Sequence, residues 1–112
     1  MKTLKTWKTQ SVDELLNAVL TLNTSEEAEK FFRDLLTEPE LTEFANRWKV
    51  ARMLSANVPY TTIEKQTGMS STTIARISKW LNTGMGGYTL MLKKVNQNHH
   101  HHGSDSSLED DS

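Results

Sequence analysis

An all-α fold of about six helices is predicted by three observations. Apolar residues recur at three- and four-residue intervals in successive segments, capping residues stand ahead of those segments, and glycine and proline fall at their boundaries. The chain of 112 residues fits one small domain, long enough for a single core and short enough that a partner subunit would help stabilise it.

The first helix is expected from Ser11, where SVDELLNAVLTL places Val12, Leu15, Leu16, Val19 and Leu22 on one face, with Ser11 as N-cap and Glu14 three residues later. A second cap at Thr24 or Ser25 precedes Ala28, Phe31, Phe32, Leu35 and Leu36, and Thr37 with Pro39 interrupts that stripe. Pro39 suits the first turn of a third helix through ELTEFANRWKVARMLSAN, with Leu41, Phe44, Ala45, Trp48, Ala51 and Met53 or Leu54 on its apolar side. It ends before Val58 and Pro59. Aromatic residues at this spacing are read as core. Two short helices are expected at about 61–67 and 70–81; GMGG at 84–87 then breaks the chain, and YTLMLKK forms a last short helix. Residues 1–10 read as a basic arm, 11–95 as the helical domain, and 96–112 as a polar, acidic tail with too little apolar surface to order itself. His99, His100, His101 and His102 are the chain's only histidines and read as a tag-like or linker segment. Neither a metal nor another cofactor is expected.

Charge is segregated. Residues 1–10 carry Lys2, Lys5 and Lys8; residues 11–43 carry nine acids against Lys30 and Arg33, a net of −7. Residues 44–94 reverse this, with Arg47, Lys49, Arg52, Lys65, Arg76, Lys79, Lys93 and Lys94 against Glu64 alone, a net of +7. A basic block this lopsided favours an anionic partner over a merely solvated surface. With no cysteine, there is no thiolate chemistry or disulfide framework, and a cytoplasmic location is expected. The basic start leads into no apolar leader, and no stretch reaches the roughly 20 apolar residues of a membrane span.

The basic block contains TTIEKQTGMSSTTIARISKWL, residues 61–81. With Gly68 in a tight turn, Ile63, Met69, Ile74, Ile77 and Leu81 point inward, the spacing of a helix-turn-helix. Ser70 can cap the second helix, whose outer face then presents Ser71, Thr72, Ala75, Arg76 and Lys79, with Thr73 at its edge. Small and hydroxyl-bearing residues near the N-terminus with cations farther along suit a major groove, because bulky or acidic groups there would clash with bases or repel phosphate. Arg76 could reach phosphate or a guanine edge, Lys79 suits phosphate, and Tyr60, Thr61 and Thr62 could donate to phosphate from the preceding helix. Glu64 is awkward, since its helix face tends to approach the DNA backbone.

The segment LTEFANRWKVARMLSANVPYTTIEKQTGMSSTTIARISKWLNTGMGGYTLML resembles the Trp-repressor-like family, and closely its YerC/YecD branch, in which an LN-x-G-x-GGY-x-LML ending follows the helix-turn-helix. The resemblance covers about residues 30–94, and the LNTGMGGYTLML ending is its most specific part. It implies an intertwined, all-helical homodimer whose early helices form the dimer core and whose two reading heads bind double-stranded operator DNA, as a transcriptional repressor. In the Trp repressor the indole lies between two arginines, and a glycine follows the second. The motifs align Arg47 and Arg76 with the arginines but Ile77 with the glycine. Ile77 would occupy the indole's space, so tryptophan is not expected as an effector, and any other effector stays open.

Two rival classes remain. Catalysis finds little support: the helical part has no histidine or cysteine, and Glu38, Glu40 and Glu43 sit on a polar face where solvation explains them. A helical protein-interaction adaptor that retains a helix-turn-helix without binding DNA is the stronger alternative. Salt discriminates, because counterion release makes DNA affinity fall steeply with ionic strength, whereas an apolar protein interface hardly responds.

Overall fold

The computed structural model describes residues 6–103, with side chains through residue 97, as six α-helices and no strand. They are α1 (Gln10–Leu20), α2 (Ser25–Leu35), α3 (Glu38–Ser55), α4 (Tyr60–Thr67), α5 (Ser71–Thr83) and α6 (Gly87–Gly103). The chain divides into two compact units, residues 1–41 and 42–112.

In the first unit the helix starts are set by threonines. The expected cap at Ser11 is corrected to Thr9, whose extended backbone lets Oγ1 accept the Val12 amide at 3.2 Å, leaving Ser11 inside the first turn. Lys8 supports this start by pairing with Asp13 at 2.6 Å. Thr24 caps α2 by accepting the Glu27 amide at 3.1 Å, while the Glu27 carboxylate accepts the Asn23 amide at 2.9 Å. Thr37 and Glu40 form a reciprocal capping box, with Glu40 N donating to Thr37 Oγ1 at 3.2 Å and Thr37 N to the Glu40 carboxylate at 2.9 Å. That box lets α3 begin at Glu38, with Pro39 in the first turn. Both α1 and α2 are amphipathic, yet neither contains a buried residue. Phe31 and Phe32 meet edge to face at 5.5 Å and are only half-buried.

The second unit holds the core. Val50 and Ala51 of α3, Ile63 of α4, and Ile74 and Ile77 of α5 are fully buried, with Trp48, Met53, Leu54, Val58, Met69 and Tyr88 packed around them. The aromatic residues read as core are therefore peripheral: Phe44 is 52% exposed, and small and branched aliphatic side chains from three helices fill the centre. Asn57, at φ 63°, ends α3 in the left-handed conformation that asparagine tolerates. Gly68, at φ 74°, closes α4, and its amide donates to the Glu64 carbonyl at 2.8 Å.

The last helix differs most from expectation. It continues to Gly103, well past the expected end near Lys94, because once the first turn has formed each added residue gains a backbone hydrogen bond without needing apolar burial. Residues 96–103 of the expected tail are thus helical in backbone. The remaining tail, and Lys2 and Lys5 of the basic arm, lie outside the described residues.

Candidate nucleic-acid interface

Helices α4 and α5 pack on each other across Gly68, with Ile63, Ile74 and Ile77 as the shared apolar layer. Ser70 begins the second helix as expected: its Oγ accepts the Thr73 amide at 3.2 Å and donates to Thr73 Oγ1 at 3.1 Å. This ties Thr73 down, half-buried, at the edge of the face. Ser71, Thr72, Ala75, Arg76 and Lys79 are all exposed. Thr72, Arg76 and Lys79 follow at intervals of four and three, so one face of about 10 Å carries hydroxyl, guanidinium and ammonium in that order. Tyr60 and Thr61 stand exposed at the start of α4, whereas Thr62 and Glu64 are half-buried.

Ion pairing follows the charge segregation. Among the described residues the salt bridges are Lys8–Asp13, Lys30–Glu26, Arg33–Glu38 and Arg47–Glu43, all before α4. Arg76 and Lys79, like Lys49, Arg52, Lys65, Lys93 and Lys94, have no carboxylate partner among the described residues. Cations without a carboxylate partner among the described residues leave a positive potential on this surface.

The three residues of the expected effector pocket differ in burial. Arg47, half-buried on α3, donates from Nε to Glu43 at 3.3 Å, one turn away. Ile77 is fully inside the core, and Arg76 is exposed. Sequence reasoning missed a groove of about 910 Å³ whose lining includes Trp48, Trp80 and Tyr88 but none of those three residues. Its only advance signal was the pair of aromatics, Trp80 and Tyr88, on either side of the glycine linker. Among the described residues no cluster of three or more histidine, cysteine, aspartate or glutamate side chains could hold a metal, and no helix is long and apolar enough to cross a membrane.

A family model described as Trp repressor protein matches residues 10–96, which spans all of α1 to α5 and much of α6. The chain belongs to the Trp repressor family. Within that family it is 40% identical over 88 residues to the uncharacterized protein YerC of Bacillus subtilis (strain 168), covering 79% of this chain and 85% of that protein, which supports the YerC branch. A TrpR-like protein from Eubacterium eligens ATCC 27750 shares 35% identity and superposes with a TM-score of 0.78, over 83% of this chain and 96% of that one. A solved structure from Staphylococcus aureus whose description also invokes the Trp repressor gives 35% identity and a TM-score of 0.77, over 86% and 96%. The all-α architecture of the described residues, six helices without a strand, thus matches these TrpR-like structures.

Proposed function

We propose that the protein is a sequence-specific, double-stranded-DNA-binding transcriptional repressor that acts in the cytoplasm as a homodimer and does not respond to tryptophan. The reading rests on one observation above all: the exposed face of α5 combines Ser71 and Thr72 near the helix start with Arg76 and Lys79, cations lacking any carboxylate partner among the described residues. In a major groove the hydroxyls read base edges and the cations hold phosphate or guanine, while Tyr60, Thr61 and Ser70 flank the helix starts where phosphates pass. Titration of duplex fragments selected from genomic DNA tests this. Affinity that is indifferent both to sequence and to ionic strength would leave the adaptor reading in its place.

Dimerisation is supported by apolar surface that one chain leaves uncovered. Leu16 is 46% exposed, Leu20 80% and Leu35 45%, on two amphipathic helices without a buried residue. A twofold assembly would cover it and set two reading helices about 34 Å apart, one DNA turn, on a pseudo-palindromic operator. Sedimentation at micromolar concentration is expected to give twice the chain mass; a stable monomer would contradict the assembly.

Tryptophan indifference is supported by the packing of Ile77 in the core and by the Arg47–Glu43 pair. Repacking the core around an added ring costs about 1–3 kcal/mol or more, which opposes binding. Millimolar tryptophan is expected to change neither DNA affinity nor the melting temperature. Stabilisation that grows with ligand concentration would show that the pocket exists.

A further inference from the structure

The two halves of the charge pattern differ in what their side chains already hold. Of the nine acids between residues 11 and 43, seven are engaged within the chain: Asp13, Glu26, Glu38 and Glu43 in salt bridges, Glu14 with Gln10, and Glu27 and Glu40 on the Asn23 and Thr37 amides. Arg33 and Arg47 are held in the same way. Lys49 and Arg52, farther along α3, make neither a salt bridge nor a side-chain hydrogen bond among the described residues.

Both cations line a cleft of about 500 Å³ between α3 and α6. The α5–α6 linker sets its walls. Gly84 ends α5 where a Cβ would lie 2.5 Å from the Trp80 carbonyl oxygen, so no larger residue fits that turn. Gly86 then takes φ 88°, and Thr89 Oγ1 donates to the Leu81 carbonyl at 3.2 Å, fastening the first turn of α6 to the end of α5. Tyr88 stacks on Trp48 of α3, with centroids 6.5 Å apart, and Leu92 and Asn96, four and eight residues beyond Tyr88 on α6, form one side of the cleft. On α3, Lys49, Arg52 and Ser55 follow at three-residue steps, a row of donors about 9 Å long. The lining contains no acid, and it ends at Val58, two residues before Tyr60 at the start of α4. We propose that this cleft holds DNA-backbone phosphates adjoining those met by Tyr60 and Thr61, with Lys49 and Arg52 as the cations and Ser55 and Asn96 as neutral donors. The inference rests on the DNA-binding reading and extends the footprint from α5 to α3. Phosphate suits the row because backbone contacts fix register on a duplex without reading its sequence. A second copy's acidic helices suit it less, since seven of their nine acids are already engaged.

The test titrates the full chain with a random-sequence duplex pool, before and after selection on the parent, at several salt concentrations. Lys49→Ala and Arg52→Ala should each lower affinity for both pools about tenfold, as loss of one charge-assisted hydrogen bond does, and flatten the salt slope by about 0.9 per chain. Base preference recovered by selection should stay that of the parent. Arg52→Lys, which keeps the charge and loses the planar fork, should restore the slope. Both positions are exposed, so circular dichroism and sedimentation should match the parent for every variant. A parent that binds duplexes while both alanine variants keep its slope would overturn the inference and leave the reading face standing. A preference altered at one base position would overturn the backbone assignment, and alanine variants that sediment at a lower mass than the parent would give the cleft to a second copy. Pyrophosphate that raises the melting temperature of the parent and not of Lys49→Ala, with the duplex slope unchanged, would give it to a free phosphorylated molecule instead. A parent that binds no duplex even at low salt removes the DNA reading, and this inference with it.

Discussion

Arg76→Ala combined with Lys79→Ala is expected to lower duplex affinity by at least about a hundredfold at low salt, since each charge-assisted hydrogen bond contributes about 1.5–3 kcal/mol. The more specific signature is in the salt dependence. Removing a cation that neutralises one phosphate reduces the slope of log affinity against log salt by about 0.9, and in a homodimer each substitution counts twice, so the pair should flatten it by about 3.6 if both cations hold phosphate. Thr72→Ala should behave differently, changing preference at one operator position with little effect on slope, because a hydroxyl that reads a base releases no counterions. Binding isotherms at several salt concentrations separate the two behaviours. If neither substitution alters affinity, slope or preference, the exposed face of α5 is not a reading face.

The second large effect is on stability. Ile77→Ala is expected to cost about 2–5 kcal/mol, because its fully buried side chain belongs to a core drawn from three helices and the cavity left behind collapses only partly. Against a total stability of about 5–15 kcal/mol for a domain, this is a large share. Ile77→Val should cost only about 0.5–1.5 kcal/mol. Urea unfolding checks both, with the midpoint falling and the slope unchanged; equal midpoints for Ile77→Ala and the parent would remove Ile77 from the core.

The elements most legible in the sequence were those whose signal is local. Gly68 at positive φ, Ser70 as cap and the inward set Ile63, Ile74 and Ile77 are each fixed by residues within one or two turns, and each stands where the spacing put it. The exposed set on α5 follows from the same geometry, since fixing which side is buried fixes the opposite side. The misses have a common cause as well. Thr9 rather than Ser11 caps α1, because neighbouring hydroxyl residues differ as caps only in backbone conformation, which composition does not encode. Phe44 follows the helical period of a buried stripe yet lies 52% exposed, since periodicity identifies an apolar face without identifying what, if anything, lies against it. The groove beside Trp80 needed three elements brought together through a glycine linker, and no spacing within any one of them announces it.

Gly84 carries a further consequence. The obstacle facing any side chain there is the carbonyl of Trp80, an atom common to every amino acid at that position. Replacing Trp80 with a smaller residue leaves the obstruction in place, so shortening a neighbouring side chain cannot rescue a substitution at Gly84. Relief has to come from the path of the main chain, through an inserted residue or a different turn between α5 and α6. A tolerated substitution at Gly84 therefore requires a change in the backbone of the linker itself.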